Sequence, residues 1–516
     1  MKIINTLLLT GFVLFAASCK KDKSNYDYKS AEVFSISNFK SAYTVISEKD
    51  HIVADPIITS TDPEADFEYR WWIYGGDIVG VDTLSKTKQL DYLVKKSTAQ
   101  YGLVFKVTNR HTKYTQYYTA NVNVGTAFTT GWYVAKDDGN AADLDLFLTP
   151  SSIVPEGKFE NIYSTVNGSK LEGKAMMMNY FGQLQTTISR RTSTLFLTTD
   201  KTIAGVYIST LKAIRNFNTS FIEPPAISQP DFVFFSSGAY YLGNAGQCYA
   251  INLSSSNSGQ FGARKLKDAD NTPYHLSKYF LASGQGDPLF FDETSSSFLT
   301  SPIGSGLTLA RVNDDVKLPP LPPTGMPAIN NQMQPLYIGY KSRNYNSVDS
   351  RYEITGYGVF QDKRDATKKV IAKLAPNSAT TTKLYITNEV IKPADKIYNA
   401  TLFTLLVEDE NIMYFVLGNE VWSRNLSNGF EQLQFTAPAG ELITYIRHKA
   451  LTVGSYPFNY FMIGTKVGEN YKVRMFTKSS GNLSASPHFT LEGKGIVRDV
   501  MYVSPNVSDG TYSNTY

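Results

Sequence analysis

Between Gly131 and the C-terminus the chain repeats one pattern, in which short apolar or alternating runs are paired across turn residues. Seven such units follow one another at a mean spacing of about 50 residues. Each unit has one apolar face that it cannot bury alone, and radial stacking around a common axis would cover every face. The units contain residues 131–147, 193–209, 231–253, 288–299, 336–360, 413–423 and 460–476. The repetition predicts a β-propeller-like domain of about seven blades over residues 130–516.

An additional strand pattern, Ile496–Val503, follows the last unit and is expected to close the ring against the first unit. The alternatives for this region are a large β-sandwich or a pair of barrels. The propeller is preferred because the units continue to the C-terminus without a long linker. The 34 tyrosines and 30 phenylalanines favour strands, and no segment has a long 3.6-residue periodicity. The chain is therefore expected to be all-β.

A separate set of strand patterns occupies residues 28–125. The runs are residues 31–39, 51–59, 67–74, 101–108 and 117–124. The last two flank the turn residues 109–111 and are expected to form a hairpin. About seven short strands in roughly 100 residues is typical of an immunoglobulin-like sandwich. The sequence therefore predicts such a sandwich in front of the propeller-like domain.

The N-terminus has the form of a lipoprotein signal peptide. Lys2 is followed by an apolar stretch, and the small residues Ala16, Ala17 and Ser18 precede Cys19. Residues 1–18 are therefore expected to be removed, Cys19 to be lipidated, and residues 19–27 to form a polar tether. A transmembrane anchor is disfavoured because the apolar run is shorter than the roughly 20 residues that span a bilayer. A plain secretory signal with an incidental cysteine is the other alternative.

The residues behind Cys19 bear on the destination. No aspartate follows Cys19 directly, which in bacterial lipoproteins suggests the outer membrane, and the charged residues 20–23 resemble a surface-export signal. We therefore expect an outer-membrane protein that is lipid-anchored, faces the cell exterior and contacts the membrane through its N-terminal lipid.

Motifs for catalysis and metal binding are missing from the local sequence. There is no nucleophile elbow, no phosphate-binding glycine loop and no His-Glu-x-x-His helix, and the five histidines are far apart in the chain. Asp137, Asp138, Asp143 and Asp145 cluster, but their spacing differs from that of a calcium loop and they provide too few ligands. Cys248 lies in an alternating run and is expected to be a buried structural thiol. We therefore expect no catalytic residue, no metal and no cofactor. A carboxylate pair assembled from different units is not visible at this level.

The formal net charge of +4 is small for 516 residues, and no Lys/Arg stripe dominates any segment. Nucleic acid is therefore not expected as a partner.

Trp71 and Trp72 are the candidate surface-binding residues. Adjacent residues in a strand point to opposite faces, so one tryptophan is expected in the sandwich core and the other on the surface. An exposed aromatic ring could stack on a sugar or fill a pocket of a partner protein, and cover by a neighbouring domain is the alternative.

Two features carry a resemblance to known proteins. The strand with Trp71, the run Tyr101 to Asn109 and the Val-rich strand after it are similar to PKD (polycystic kidney disease) domains, with residues 110–113 in place of the usual glycine-rich turn. The hairpin of residues 131–146 behind such a domain resembles the PKD-like family lipoproteins. Those lipoproteins are encoded beside Sus-type nutrient uptake systems, which pair a TonB-dependent transporter with a substrate-binding lipoprotein.

The resemblance implies a non-enzymatic accessory of such an uptake complex, with the transporter and its lipoprotein as partners and a glycan or peptide as ligand. Two alternatives stay open. One is a surface glycan- or peptide-degrading hydrolase or lyase with its site in the propeller channel, because a fold does not determine function. The other is a scaffold that holds the transporter components together.

Overall fold

The computed structural model describes residues 31–512 except 48, 77, 150–155, 188–189, 253–257, 268–270, 285, 303–305, 316–324, 348–349, 378–379, 381, 453–455 and 506. The expected signal peptide, Cys19 and the tether lie outside the described residues. The chain divides into two compact units, Met1–Val124 and Gly125–Tyr516. Within the described residues, no helix has the length and apolar character that a membrane crossing requires.

The N-terminal unit consists of one five-stranded antiparallel sheet, in the order β2-β9-β8-β5-β6, and the two-stranded sheets β1-β4 and β3-β7. Its strands are β1 (Phe34–Ser37), β2 (Ala42–Ile46), β3 (His51–Ala54), β4 (Ile57–Ser60), β5 (Phe67–Gly75), β6 (Val81–Ser85), β7 (Leu90–Leu93), β8 (Ala99–Asn109) and β9 (Thr115–Gly125). The predicted hairpin is the pair β8 and β9. Apolar residues of all three sheets form one buried cluster, as in a sandwich.

Trp71 lies at the centre of this core. Its side chain is fully buried, its ring stacks on that of Phe105 with the centroids 4.1 Å apart, and its Nε1 donates a hydrogen bond of 3.1 Å to the Thr87 carbonyl. The prediction that Trp71 is a candidate surface-binding residue is therefore wrong, because alternation along β5 turns its side chain toward the core. Trp72 points to the other face and is half-buried.

In its described part, the C-terminal unit contains seven consecutive sheets of three to five strands, which confirms the predicted all-β, propeller-like fold. We number them blades 1 to 7. Blade 1 comprises β10 (Gly131–Asp137), β11 (Ala141–Leu148), β12 (Gly157–Phe159), β13 (Leu171–Glu172) and the last strand, β41 (Ile496–Val503). Blade 2 comprises β14 (Ala175–Thr187), β15 (Arg190–Thr199), β16 (Ile203–Tyr207) and β17 (Ala213–Arg215). Blade 3 comprises β18 (Pro230–Ser236), β19 (Ala239–Asn244) and β20 (Gln247–Asn252).

Blades 4 and 5 have five strands each, and blades 6 and 7 have four. Blade 4 comprises β21 (Leu266–Lys267), β22 (Leu276–Leu281), β23 (Leu289–Asp292), β24 (Ser297–Thr300) and β25 (Thr308–Arg311). Blade 5 comprises β26 (Asn313–Asp314), β27 (Met333–Asn346), β28 (Arg351–Asp362), β29 (Lys369–Pro376) and β30 (Lys383–Ile391). Blade 6 comprises β31 (Leu402–Leu405), β32 (Ile412–Leu417), β33 (Glu420–Asn425) and β34 (Glu431–Thr436). Blade 7 comprises β35 (Leu442–Leu451), β36 (Phe458–Val467), β37 (Asn470–Phe476) and β40 (Phe489–Lys494).

Short elements decorate the ring. A small hairpin of β38 (Lys478–Ser479) and β39 (Asn482–Leu483) precedes β40. The helices are α1 (Ile162–Asn167), α2 (Phe217–Ser220) and a 3-10 helix (Lys396–Asn399).

The ring is closed by the C-terminal strand. β41 pairs antiparallel with β10, as the sequence predicted, so blade 1 contains both ends of the C-terminal unit. We call β14, β18, β22, β27, β31, β35 and β41 the innermost strands, because contacts between neighbouring blades run mainly through them. β41 contacts both β14 of blade 2 and β35 of blade 7. Apolar side chains fill the space between blades, as where the rings of Phe234 and Phe280 stack at 4.1 Å between blades 3 and 4.

Cys248 on β20 is fully buried, and burial raises the pKa of its thiol to about 12. Because the thiolate is the reactive form, we expect this thiol to be inert in the folded protein. In a Cys19→Ser variant, Cys248 is the remaining cysteine, and a thiol reagent at mildly alkaline pH should react only after a denaturant is added. Rapid modification of the folded variant would contradict the buried position.

Candidate functional site

The C-terminal ends of the innermost strands surround a cavity of about 490 Å³, which we call the axial cavity. Blades 3 to 7 and the segment after β41 all contribute to its wall. The lining includes Phe235, Ser283, Gly284, Tyr340, Arg343, Glu408, His448, Lys449, Thr452, Ser508, Thr511 and Tyr512. The volume is in the usual range for small-molecule sites, roughly 300–1,000 Å³.

The axial cavity has a buried end and an exposed rim. Lys449, Tyr340 and Tyr512 line it with side chains that are at most 2% exposed. Glu408 and Ser508 line it as exposed residues. Aromatic, hydroxyl and charged groups therefore converge on one concave surface, which is the arrangement expected of a site for a polar ligand.

The segment after β41 closes the cavity on the side of blades 2 to 4. Asp509 accepts a hydrogen bond from the Tyr240 hydroxyl of blade 3 and one of 3.0 Å from the backbone N–H of Gln183 in blade 2. Tyr512 donates a hydrogen bond of 2.8 Å to the Tyr502 carbonyl, and the Lys449 ammonium lies 5.3 Å from the centre of its ring. The segment is thus held at several points and forms part of the cavity wall.

Lys449 is paired with Asp499 on β41, and the two charged atoms are 3.1 Å apart. Both side chains are almost fully buried. Burial lowers the pKa of Lys449 to about 8, and the nearby Asp499 acts against that shift. Asp499 also accepts hydrogen bonds from the Met178 N–H at 2.9 Å and the Tyr445 hydroxyl at 3.3 Å. This carboxylate therefore links blades 7, 1 and 2 at the seam of the ring.

His448 is a buried neutral imidazole. Its Nδ1 accepts a hydrogen bond of 3.0 Å from the Val407 N–H, so Nε2 carries the proton and donates to Asn459 Oδ1 at 2.6 Å. Burial lowers the pKa of His448 to about 4, and the ammonium of Lys478 adds to this effect. Both ring nitrogens are engaged within the protein, which leaves none for proton transfer to a ligand.

Glu408 lies at the rim next to Arg343. Its carboxylate accepts hydrogen bonds from the Tyr340 hydroxyl and from the backbone N–H of Arg343 at 3.2 Å. The Arg343 guanidinium lies 5.1 Å from the centre of the Tyr352 ring, where a cation–π contact stabilises it. The rim thus presents a strong hydrogen-bond donor and a strong acceptor side by side.

A two-stranded ribbon extends from blade 5 beside the rim. β29 pairs with β28 only along residues 356–361, whereas β27 and β28 stay paired as far as Asn346 and Arg351. Near the tip, Tyr345 and Tyr352 lie opposite each other with their ring centroids 5.2 Å apart. They are 58% and 47% exposed, which is unusual for large aromatic side chains. Neither tyrosine was predicted from the sequence; the signal is the alternation of residues 343–346 and 351–354 around a polar turn.

The acidic cluster near Asp137 has structural roles. Asp137 accepts from the Arg498 guanidinium at 2.7 Å, and Asp138 pairs with Lys170 at 2.8 Å. The other two carboxylates are also engaged: Ser164 donates to Asp143, and Lys136 and Tyr471 bind Asp145 at 2.7 Å each. Among the described residues, no group of three or more His, Cys, Asp or Glu side chains is placed to hold a metal ion.

Trp72 belongs to the N-terminal unit. The Arg70 guanidinium lies 5.5 Å from the centre of its ring, and the Tyr117 ring meets it edge-on at 6.0 Å. Two neighbours thus cover part of the ring. Trp72 is less exposed than Tyr345 and Tyr352, although Arg343 also lies over the Tyr352 ring, and it therefore offers a ligand less aromatic surface than that pair does.

Comparison with known proteins gives remote likenesses. No curated protein is detectably similar in sequence. A quinoprotein alcohol dehydrogenase-like protein from Bacteroides thetaiotaomicron is similar in structure, with 12% identity, a TM-score of 0.38, and coverage of 90% of this chain and 97% of that one. The extracellular domain of a one-component system from the same species has 10% identity, a TM-score of 0.39, and coverage of 90% and 70%. The WD40 domain of SCAP from fission yeast has 10% identity, a TM-score of 0.34, and coverage of 73% and 92%.

A family comparison covers the N-terminal part. Residues 19–175 match the PKD-like family. The matched region contains the strand with Trp71, the β8–β9 hairpin and the first hairpin of blade 1, which are the features that carried the resemblance in the sequence. The N-terminal part of this chain therefore contains a PKD-like domain.

Proposed function

We propose that this chain is a non-catalytic binding protein of the bacterial cell surface and that the axial cavity holds its ligand. The observation that carries the proposal is the cavity itself, where aromatic, hydroxyl and charged side chains from five blades converge. Binding sites are commonly concave, largely pre-formed and lined in this mixed way.

The state of the titratable groups favours binding over catalysis. His448 has both nitrogens engaged, and Lys449 is paired with Asp499. A general acid or base must reach the ligand with a transferable proton or a free lone pair. These groups instead stabilise the wall of the cavity.

We also propose a cellular location and a transport complex for this protein. Lipidation at Cys19 would tether the protein to the outer membrane with both units facing outward. The PKD-like domain and the N-terminus with the form of a lipoprotein signal peptide together suggest an accessory of a TonB-dependent, Sus-type uptake complex. Its ligand would then be a glycan or peptide that the transporter imports.

The test is a mild-detergent pull-down of the C-terminally tagged full-length protein from native outer membranes. We expect a TonB-dependent transporter and its substrate-binding lipoprotein to co-purify, and the transition temperature of the protein to rise when the bound cargo is returned to it. Recovery of the protein alone would overturn the proposal that it forms a stable complex with a transporter. Turnover of a glycan or peptide by the purified protein would overturn the non-catalytic part.

Arg343→Ala tests the axial cavity as the site. We expect binding of the recovered cargo to weaken about tenfold to hundredfold, because hydrogen bonds to charged groups contribute about 1.5–3 kcal/mol. Isothermal titration calorimetry measures the change. Arg364→Ala is the matched control, because Arg364 lies in blade 5 outside the cavity and is 70% exposed. Equal affinities for the wild type and Arg343→Ala would place the site elsewhere.

A further inference from the structure

We propose that the ligand is a glycan bound by its end, with the terminal sugar in the axial cavity and the next sugar on the pair Tyr345 and Tyr352. This inference rests on the proposed function, since it assigns a ligand class and a second subsite to the same cavity. Three observations carry it: the direction in which the tyrosines point, the hydrogen-bonding groups at the rim, and the closed end of the cavity.

The strand register places both tyrosines on the cavity side of the ribbon. Arg343 and Tyr345 are two residues apart on β27, so their side chains share one face. Tyr352 pairs with Tyr345 across the ribbon, and Ile354 pairs with Arg343, so these residues belong to that face as well. Arg343 lines the cavity, and Ile354 packs against Gly286 in the loop that also supplies Ser283 and Gly284 to the wall. The tyrosine pair is therefore a continuation of the cavity wall toward solvent.

The chemistry of this surface fits a sugar chain. A sugar ring has apolar C–H faces that pack on exposed aromatic rings, and its hydroxyls both donate and accept hydrogen bonds. Tyrosine provides a large, rigid contact surface at low entropic cost. Arg343 donates and Glu408 accepts at the rim, while the hydroxyls of Ser508 and Thr511 hydrogen-bond each other at 3.1 Å and together still offer one proton and lone pairs to a ligand. This combination matches neighbouring hydroxyls on one ring better than it matches a peptide backbone.

The closed end of the cavity selects a chain end. Tyr512 and Lys449 are buried at that end, and the segment that carries Tyr512 is anchored to blades 2 and 3. The lining side chains are buried at this end and exposed at the rim, as Glu408 is, so the rim is the open side of the cavity. The chain is therefore expected to enter with its terminal sugar and to leave along the ribbon.

The experiment measures binding by calorimetry with full-length protein and defined probes: malto-, cello-, xylo-, manno- and laminari-oligosaccharides from monosaccharide to hexasaccharide, and alanine peptides of matching lengths. We expect one glycan series to bind, with affinity rising from the monosaccharide to the disaccharide or trisaccharide and then staying level. The cyclic oligosaccharide of the same sugar, which has no end, should not bind.

Substitutions separate the two subsites. Tyr352→Ala and Tyr345→Ala should each weaken binding of the longer chains about tenfold, since truncation of a tyrosine that anchors an interface commonly lowers the affinity by such a factor. Monosaccharide binding should be unchanged. Phe430→Ala is the control, because Phe430 is an aromatic residue of blade 6 with a similar exposure of 62%. Circular dichroism should show that all three variants are folded.

Each contrary result has a defined meaning. Binding of the cyclic glycan, a steady gain with every added sugar, or indifference to both tyrosine substitutions would overturn the end-bound glycan while the proposed site stands. Binding of peptides in place of glycans would overturn the ligand class only. Binding that is insensitive to Arg343→Ala, or no binding of any probe, would overturn both the inference and the axial cavity as the ligand site.

Discussion

Asp499→Ala is expected to lower the free energy of unfolding by about 3–5 kcal/mol, because it leaves the Lys449 charge buried without its partner. The two side chains are 1% and 3% exposed, so little water is present to solvate the ammonium in place of the lost carboxylate. The substitution also removes the acceptor of the Met178 N–H and of the Tyr445 hydroxyl. Since these donors come from blades 2 and 7, the loss falls on the seam at which β41 closes the ring. Urea unfolding monitored by tryptophan fluorescence measures the change.

Two controls make this result specific. Glu492→Ala removes a surface ion pair with Lys472 in blade 7 and should change stability by no more than about 1 kcal/mol. The double variant Lys449→Met with Asp499→Asn removes both charges and keeps an acceptor for the Met178 N–H, so it should recover much of the loss. A loss below about 1 kcal/mol in Asp499→Ala would show that the pair does not hold the seam.

The fold could be predicted in outline because its signals are local. Each blade contains consecutive strands that pair antiparallel through short turns, so the seven units and the closing strand Ile496–Val503 were visible as alternating runs. The parallel pairings were not visible. β21 joins β25 and β26 joins β30 through two residues each, and such short non-local contacts leave no periodic pattern.

The N-terminal unit shows the same limit. Adjacent tryptophans in a strand predicted one core and one outward side chain, and the core position falls to Trp71. Alternation alone favours Trp71 for the core, because Tyr69 and Ile73 share its face whereas Arg70 shares the face of Trp72. What the sequence does not give is the partner strand, and the pairing of β5 with β8 sets Trp71 opposite Phe105.

The candidate site could not be predicted from the sequence, because its residues are far apart in the chain. The side chains around the axial cavity come from positions as far apart as Phe235 and Tyr512, and only ring closure brings them together. Sequence motifs report groups within one turn or one hairpin. The ribbon with Tyr345 and Tyr352 does have a local pattern in the sequence. An exposed aromatic pair indicates a binding site, however, only when it lies next to a cavity.

His448 provides the second large prediction, which concerns pH. Its pKa is about 4 in the folded protein and about 6.5 when the chain is unfolded. Between these values the unfolded chain binds a proton that the folded protein does not, so stability falls as pH falls from about 6.5 to about 4 and this contribution then levels off. The difference of about 2.5 pKa units corresponds to about 3 kcal/mol.

The variant His448→Gln isolates this contribution from the carboxylates that titrate at lower pH. Around the imidazole lie Asp409, whose carboxylate is 4.0 Å away, and the ammonium groups of Lys478 and Lys341. These groups remain in the variant, so the wild-type free energy of unfolding minus that of the variant should decrease by about 3 kcal/mol between pH 7 and pH 4. Urea unfolding at several pH values measures it, and an NMR titration of the imidazole gives the folded pKa directly. A difference that stays constant over this range would contradict a neutral, buried His448, and with it the view that this histidine supports the cavity wall without exchanging protons with a ligand.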